Sequence, residues 1–182
     1  MRLSLRSVLV SLIALVAIGG AISGLNGAKQ PKSSPSQTSW FAVSKTACPS
    51  DSTSGVSEFI DFGPSKKVKS FCAFNFSGSG WMLLTSVSKV DGTSDYPVGF
   101  ACRIDGWPTV ESQDCKNTPT YAEGSWAYFL SNQQGGWSFS GTGATMNHPS
   151  CGTSEAWVWV AGGADPTAAM PSVKPRVFKC AN

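Results

Sequence analysis

The chain has 182 residues, 14 of them Lys or Arg and 11 Asp or Glu, for a formal charge of +3. Two of the basic residues, Arg2 and Arg6, precede an apolar run, so the rest of the chain is close to neutral with scattered charges. That balance removes the electrostatic case for nucleic acid, which needs a clustered basic face, and the length fits one domain of ordinary size.

Val8 to Ile22 is almost continuously apolar and closes on small residues, Gly19, Gly20 and Ala21, with Ser23 and Gly24 just beyond. With its basic start this stretch reads as an export leader over residues 1–28. Two fates fit it. It is either a signal peptide cut near Ala21-Ile22-Ser23 or an uncleaved N-terminal anchor, because the uncharged segment 7–28 is long enough to span a bilayer. Membrane contact is expected only through that segment. Residues 29–39 are rich in Pro, Ser and Lys and hold no large apolar side chain, which predicts a flexible linker. The folded domain is expected over 40–182.

Within it, Val56 to Phe62 reads as a strand, Gly63-Pro64-Ser65 as a turn and Val68 to Phe74 as a second strand, together a hairpin. Lys66, Lys67 and Lys69 cluster just after that turn and read as a solvated loop. Trp81 to Val90 predicts the main helix, with Ser77 or Ser79 as its cap and Gly92 as its terminator. Trp81, Leu84 and Val87 make one apolar stripe suited to packing on a sheet. Strands are expected over Gly99 to Ile104, Trp126 to Leu130, Trp137 to Phe139, Ala156 to Val160 and Arg176 to Phe178, with Gly-rich turns between them. One helix against a mixed or antiparallel sheet is α+β, with a β-grasp-like order.

All six cysteines lie between Cys48 and Cys180. An even number after a leader predicts three disulfides in an oxidising compartment, so the domain is expected to be secreted or extracytoplasmic. Sequence does not choose the pairing, but chain proximity favours Cys48–Cys72, Cys102–Cys115 and Cys151–Cys180. Metal ligation fails on spacing, because there is no C-x-x-C pair and the single histidine is His148. No metal or cofactor is expected.

Catalytic signals are weak. There is no G-x-S-x-G elbow, and any Ser/His or Cys/His site would depend on His148 in a loop-like Met-Asn-His-Pro-Ser setting. Asp105, Glu111, Asp114, Glu123 and Glu155 could supply a carboxylate pair for glycoside hydrolysis, but nothing in their spacing selects one. Asn75-Phe-Ser77 fits a glycosylation sequon, a short and unspecific pattern. Aromatics are more unusual. Of seven tryptophans, five lie from Trp107 to Trp159. Trp126 with Tyr128, and Trp157 with Trp159, share strand faces by the period of two. With Trp137 they are the candidate ligand-binding residues, stacking on a small molecule or a glycan from an open sheet face. The competing assignment is a second layer of core.

Several segments from Cys48 onward also carry a resemblance. They are Val56 to Phe62 with its Asp61-Phe62-Gly63 end, Cys72, and the run Phe100-Ala-Cys-Arg-Ile-Asp-Gly-Trp-Pro108 with Cys115. Ser125-Trp-Ala-Tyr-Phe129, Trp137-Ser-Phe-Ser140, Gly143-Ala144, Pro149, Gly152, Glu155 and Trp157 complete it. The pattern resembles a domain of secreted and surface-anchored actinobacterial proteins, related to the C-terminal β-grasp-like domain of transcobalamin and intrinsic factor. The resemblance implies a non-catalytic extracellular module that contacts a small molecule or a surface polymer. In the vitamin carriers this domain closes over a corrinoid held by a helical barrel; this sequence has one helix, so a corrinoid would need a partner. Any tether is expected at the N-terminus. The function expected is an exported binding module; the alternatives are a cell-envelope protein-interaction or structural protein, and, less favoured, a secreted hydrolase.

Overall fold

A computed structural model of the chain describes residues 41–64, 66–120, 122–132 and 134–181. The leader expected over 1–28 and the linker over 29–39 lie outside the described residues. Strands β1 (Ala42–Ser44), β2 (Val56–Asp61) and β3 (Lys69–Phe74) come first. Helix α1 (Gly80–Val87) follows, then the short strands β4 (Val90–Asp91) and β5 (Arg103–Ile104). The chain continues through β6 (Ser125–Ser131), β7 (Trp137–Phe139) and β8 (Ser154–Val160).

Six strands form a mixed sheet in the order β1-β3-β2-β8-β6-β7, and β4 pairs with β5 apart from it. β2 and β8, distant in the chain, meet in parallel at the centre, with Glu58 beside Glu155 and Ile60 beside Trp157. Every other pairing is antiparallel. The fold is α+β.

Both faces of the central strands are covered. On the α1 side, Ile60, Trp126, Tyr128 and Trp157 pack with Trp81 and Leu84. On the other, Phe59, Phe129, Ala156, Val158 and Val160 pack beneath Trp137, Ala169 and Val173. All six residues of β2 are buried, which is why the alternation in that segment is imperfect: a strand with no wet face need not alternate. Phe129 is wholly buried, and a side chain of that kind stabilises by roughly 1.5–3 kcal/mol.

Three boundaries differ from expectation. The helix stops at Val87 because Ser88 turns extended (φ −145°, ψ 154°). Val90 then pairs with Ile104, and Lys89 donates its N–H to Asp105 Oδ1 at 2.8 Å. Gly92 is therefore no helix terminator; a Cβ there would come within 2.6 Å of the Pro97 carbonyl oxygen. The strand expected from Gly99 shrinks to Arg103–Ile104. Arg103 is buried and donates to the carbonyls of Pro108 and Gln113 and to Asp91, tying the following loop to the core. Arg176 to Phe178 forms no strand, since Arg176 bonds through its N–H and C=O to the Ser154 hydroxyl and not to a ladder.

The disulfides are Cys48–Cys72, Cys102–Cys115 and Cys151–Cys180. Three bridges fit an oxidising, extracytoplasmic environment. Among the described residues, no helix is long and apolar enough to cross a membrane.

Candidate functional site

β6 and β8 place the aromatic cluster. Their register sets Tyr128 opposite Trp157 and Trp126 opposite Trp159, with ring centroids 4.9 and 5.7 Å apart. Four of the five candidate aromatics thus share the face under α1. Two loops complete the surroundings. Ser140 N–H donates to the Tyr128 carbonyl at 2.9 Å, and Trp81 N–H to the Ala144 carbonyl at 3.0 Å, which folds residues 140–144 against the cluster.

The result is a cleft of about 380 Å³ between β6, residues 99–101 and residues 139–144. Trp126, Tyr128 and Trp157 line it together with Phe100, the Ser140–Thr142 segment and Pro166. The Trp126 indole N–H is buried without a hydrogen-bond partner. A buried donor without a partner carries a free-energy cost. Because this N–H is closed to solvent, the cleft presents the ring and not the donor.

Behind the cleft lies a polar network inside the core. The Tyr128 hydroxyl donates to Glu155, Asn147 Nδ2 donates to the Tyr128 oxygen at 2.8 Å, and Asn147 also donates to Glu155. Glu58 is fully buried beside Glu155. Burial pushes Glu155 up to about 7 even though the Tyr128 and Asn147 donors pull it down. Glu58 is raised well above the carboxylate range by burial and then by the Glu155 charge; the Trp157 indole lowers it somewhat without reaching good hydrogen-bond geometry. Tyr128 is raised as well, through burial and both carboxylates.

No protein-family model, curated protein or solved structure matches this chain.

The predicted aromatics do not make one open surface. Trp126, Tyr128 and Trp157 are buried, covered by α1 and the loops, and reach solvent only along the cleft. Trp159 is half-buried one step further along, edge-on to Trp107 at 6.2 Å. Trp137 sits on the opposite face, edge-on to Phe59 at 5.8 Å and donating its indole N–H to the Val173 carbonyl at 2.6 Å. The period of two explains the split, because Trp137 pairs with Ser131, which lies on the far face from Tyr128.

The candidate acids scatter. Asp105 is bonded to Lys69, Lys89 and Ser88, and these donors outweigh its burial to hold it below the usual range. Glu111, Asp114 and Glu123 are exposed, and none of the four lines the aromatic cleft. His148 is exposed in its loop. Lys66 lies over the Trp107 ring at 4.2 Å and Lys69 over Phe62 at 5.3 Å, so two of the three clustered lysines cover aromatic surface. Among the described residues, no three or more His, Cys, Asp and Glu side chains converge as a metal site. Glu58 and Asn147 are not among the candidates that the sequence singles out. Glu58 had a signal, since it shares parity with Val56 and Ile60; Asn147 had none.

Proposed function

We propose that this chain is an exported, non-catalytic binding module of β-grasp type that takes a small molecule or a glycan in the cleft beside Trp126, Tyr128 and Trp157. Support for the fold comes from the strand order: a hairpin, a crossing helix, and a last strand returning parallel to the first strand of the hairpin. That arrangement is also what the resemblance to the transcobalamin-related actinobacterial domain implies. The observation carrying the binding reading is the cleft itself, about 380 Å³, walled by the Trp126, Tyr128 and Trp157 rings and by Ser/Thr residues of the 140–142 segment. Apolar walls with a few placed polar groups are the chemistry of small-ligand sites.

A catalytic reading has less support. The one facing carboxylate pair, Glu58 and Glu155, is sealed in the core, where no substrate reaches both groups.

Tryptophan fluorescence titrated with corrinoids and with envelope glycans tests the proposal. A saturable change with one ligand class is expected, weakened about tenfold by Trp126→Leu, which keeps an apolar side chain but removes the ring that lines the cleft. No response to either class, together with specific recovery of an envelope protein in reciprocal pull-downs, would favour an interaction protein without a small-molecule site.

A further inference from the structure

Glu58 and Glu155 stand side by side on the parallel pair β2 and β8, on the face beneath α1. Both Glu58 carboxyl oxygens and Oε2 of Glu155 have no hydrogen-bond partner and are closed to solvent. Among the described residues, no cation compensates them. α1 has the sequence GWMLLTSV and carries no charge, β3 sets Phe71 beside Glu58, and β6 contributes Tyr128. The overlying loop contributes the neutral Asn147, and the next residue, His148, is exposed. The titratable groups facing the pair are therefore the two carboxyls themselves and Tyr128. Oxygens closed in this way are reached by protons and not by ligands.

We propose that the pair is a pH-sensitive latch on the loop 141–147, closed while Glu58 and Glu155 are protonated and loosened when Glu155 gives up its proton. A charge at Glu155 meets only the Tyr128 and Asn147 donors, which do not offset its burial, and two buried carboxylates side by side cannot both ionise without a large penalty. Water relieves it most directly through the polar cleft of about 160 Å³ lined by Ser131, Asn147, His148, Ser150, Ser154 and Glu155. Entry there lifts Asn147. The Asn147 carbonyl accepts from Gly80 N–H at 2.9 Å, and the Ala144 carbonyl accepts from Trp81 N–H at 3.0 Å. Lifting the loop thus frees the first turn of α1 and the Gly141–Ala144 wall of the aromatic cleft. That last consequence, control of ligand access, rests on the binding reading above; the latch itself does not.

The direction with pH follows from linkage. The folded-state value of Glu155, about 7, lies above that of an unfolded carboxyl, so the native state holds a proton that the unfolded or opened state releases. Stability of the closed loop is greatest at and below the ordinary carboxylate range, falls as pH rises above that range, and levels off past about 7.

Amide hydrogen exchange on the ligand-free chain tests this. Protection at Gly80 and Trp81, corrected for intrinsic exchange, is compared with that at Phe129 and Ala156 from about pH 5 to about pH 8, either side of the Glu155 value. In the wild type the first pair is expected to lose up to about tenfold more protection than the second per pH unit between about pH 5 and the Glu155 value, and to level off above it. The levelling-off should coincide with the carbon-13 titration of the Glu155 carboxyl. Glu155→Gln keeps an oxygen for Tyr128 and Asn147 but cannot ionise, so its protection should stay high and flat. A flat wild type, a Glu155→Gln variant that loosens as the wild type does, or a levelling-off away from the Glu155 titration would overturn the latch. Should Glu155→Gln not fold, the wild-type profile and the carbon-13 titration decide alone. No ligand enters the experiment, so its failure leaves the binding proposal standing, and absence of ligand binding leaves the latch standing.

Discussion

Val56, Glu58 and Ile60 share parity along β2, so strand geometry alone sends the Glu58 carboxyl to an apolar face. Its neighbour Glu155 arrives from the far end of the chain, and no local pattern announces that meeting. Gly80 belongs to the same cluster. A Cβ there would lie 2.7 Å from Glu155 Oε2 and would also intrude on the Tyr128 hydroxyl. Gly80→Ala sets two effects against each other. Alanine gains about 1 kcal/mol in helix propensity. Overpacking costs about 1–3 kcal/mol, and displacing Tyr128 forfeits a hydrogen bond to a carboxyl, a further loss of about 1 kcal/mol or more. The steric side is larger, so Gly80→Ala should destabilise by about 2 kcal/mol in denaturant unfolding. An unchanged or higher midpoint would mean that α1 can move away from the network at little cost.

At the level of elements, the cap of α1 is where sequence and structure meet most closely. Ser77 and Ser79 were both candidates; Ser79 is the cap, accepting from Met82 N–H at 3.3 Å, while Ser77 is exposed. Ser79→Ala should cost about 1 kcal/mol in thermal or denaturant unfolding and Ser77→Ala close to nothing. Equal losses would move the helix start. The hairpin, the helix, the α+β class and β6 to β8 were legible because each carries its own periodicity or turn signal. β1 and β4 were not: β1 has three residues and β4 two, and each exists only through its partner, β3 for one and β5 for the other. The aromatic face was half legible. Period two put Trp126 with Tyr128 and Trp157 with Trp159, but nothing local fixed β6 against β8, nor set Trp137 on the far side. What covers a face is a long-range property, which is why an open ligand face and a second layer of core both stood as readings where α1 and two loops lie.

Across the whole molecule, the two faces of the sheet are covered by different means. α1 and its loops cover one; the tail from Ala169 to Ala181 lies along the other without a ladder of its own. It is fastened instead at separate points. Ser172 donates from its N–H and its hydroxyl to Asp61 Oδ2 at 2.8 and 2.6 Å, Trp137 donates to the Val173 carbonyl, and Ala181 N–H donates to the Thr53 carbonyl at 2.8 Å. Cys151–Cys180 closes this segment at a sequence separation of 29. In the chain-entropy model a loop of that length contributes about 3–4 kcal/mol. The four hydrogen bonds, each worth about 1 kcal/mol net, are of similar total size, but they act only once the tail is docked, whereas the bridge also restricts the unfolded chain. Replacing both cysteines by alanine should therefore lower unfolding stability by about 3 kcal/mol. The loss should also be local in its first stage: the tail frays, and Trp137 and Phe59 become accessible while Tyr128 and Trp157, on the α1 face, stay protected. Iodide quenching of tryptophan emission, compared between the double variant and its Trp137→Phe counterpart, separates the two faces. Increased quenching that vanishes with Trp137→Phe fits a strap held by its bridge. Increased quenching that persists would mean that the bridge stabilises the whole sheet and that the tail is no separate layer.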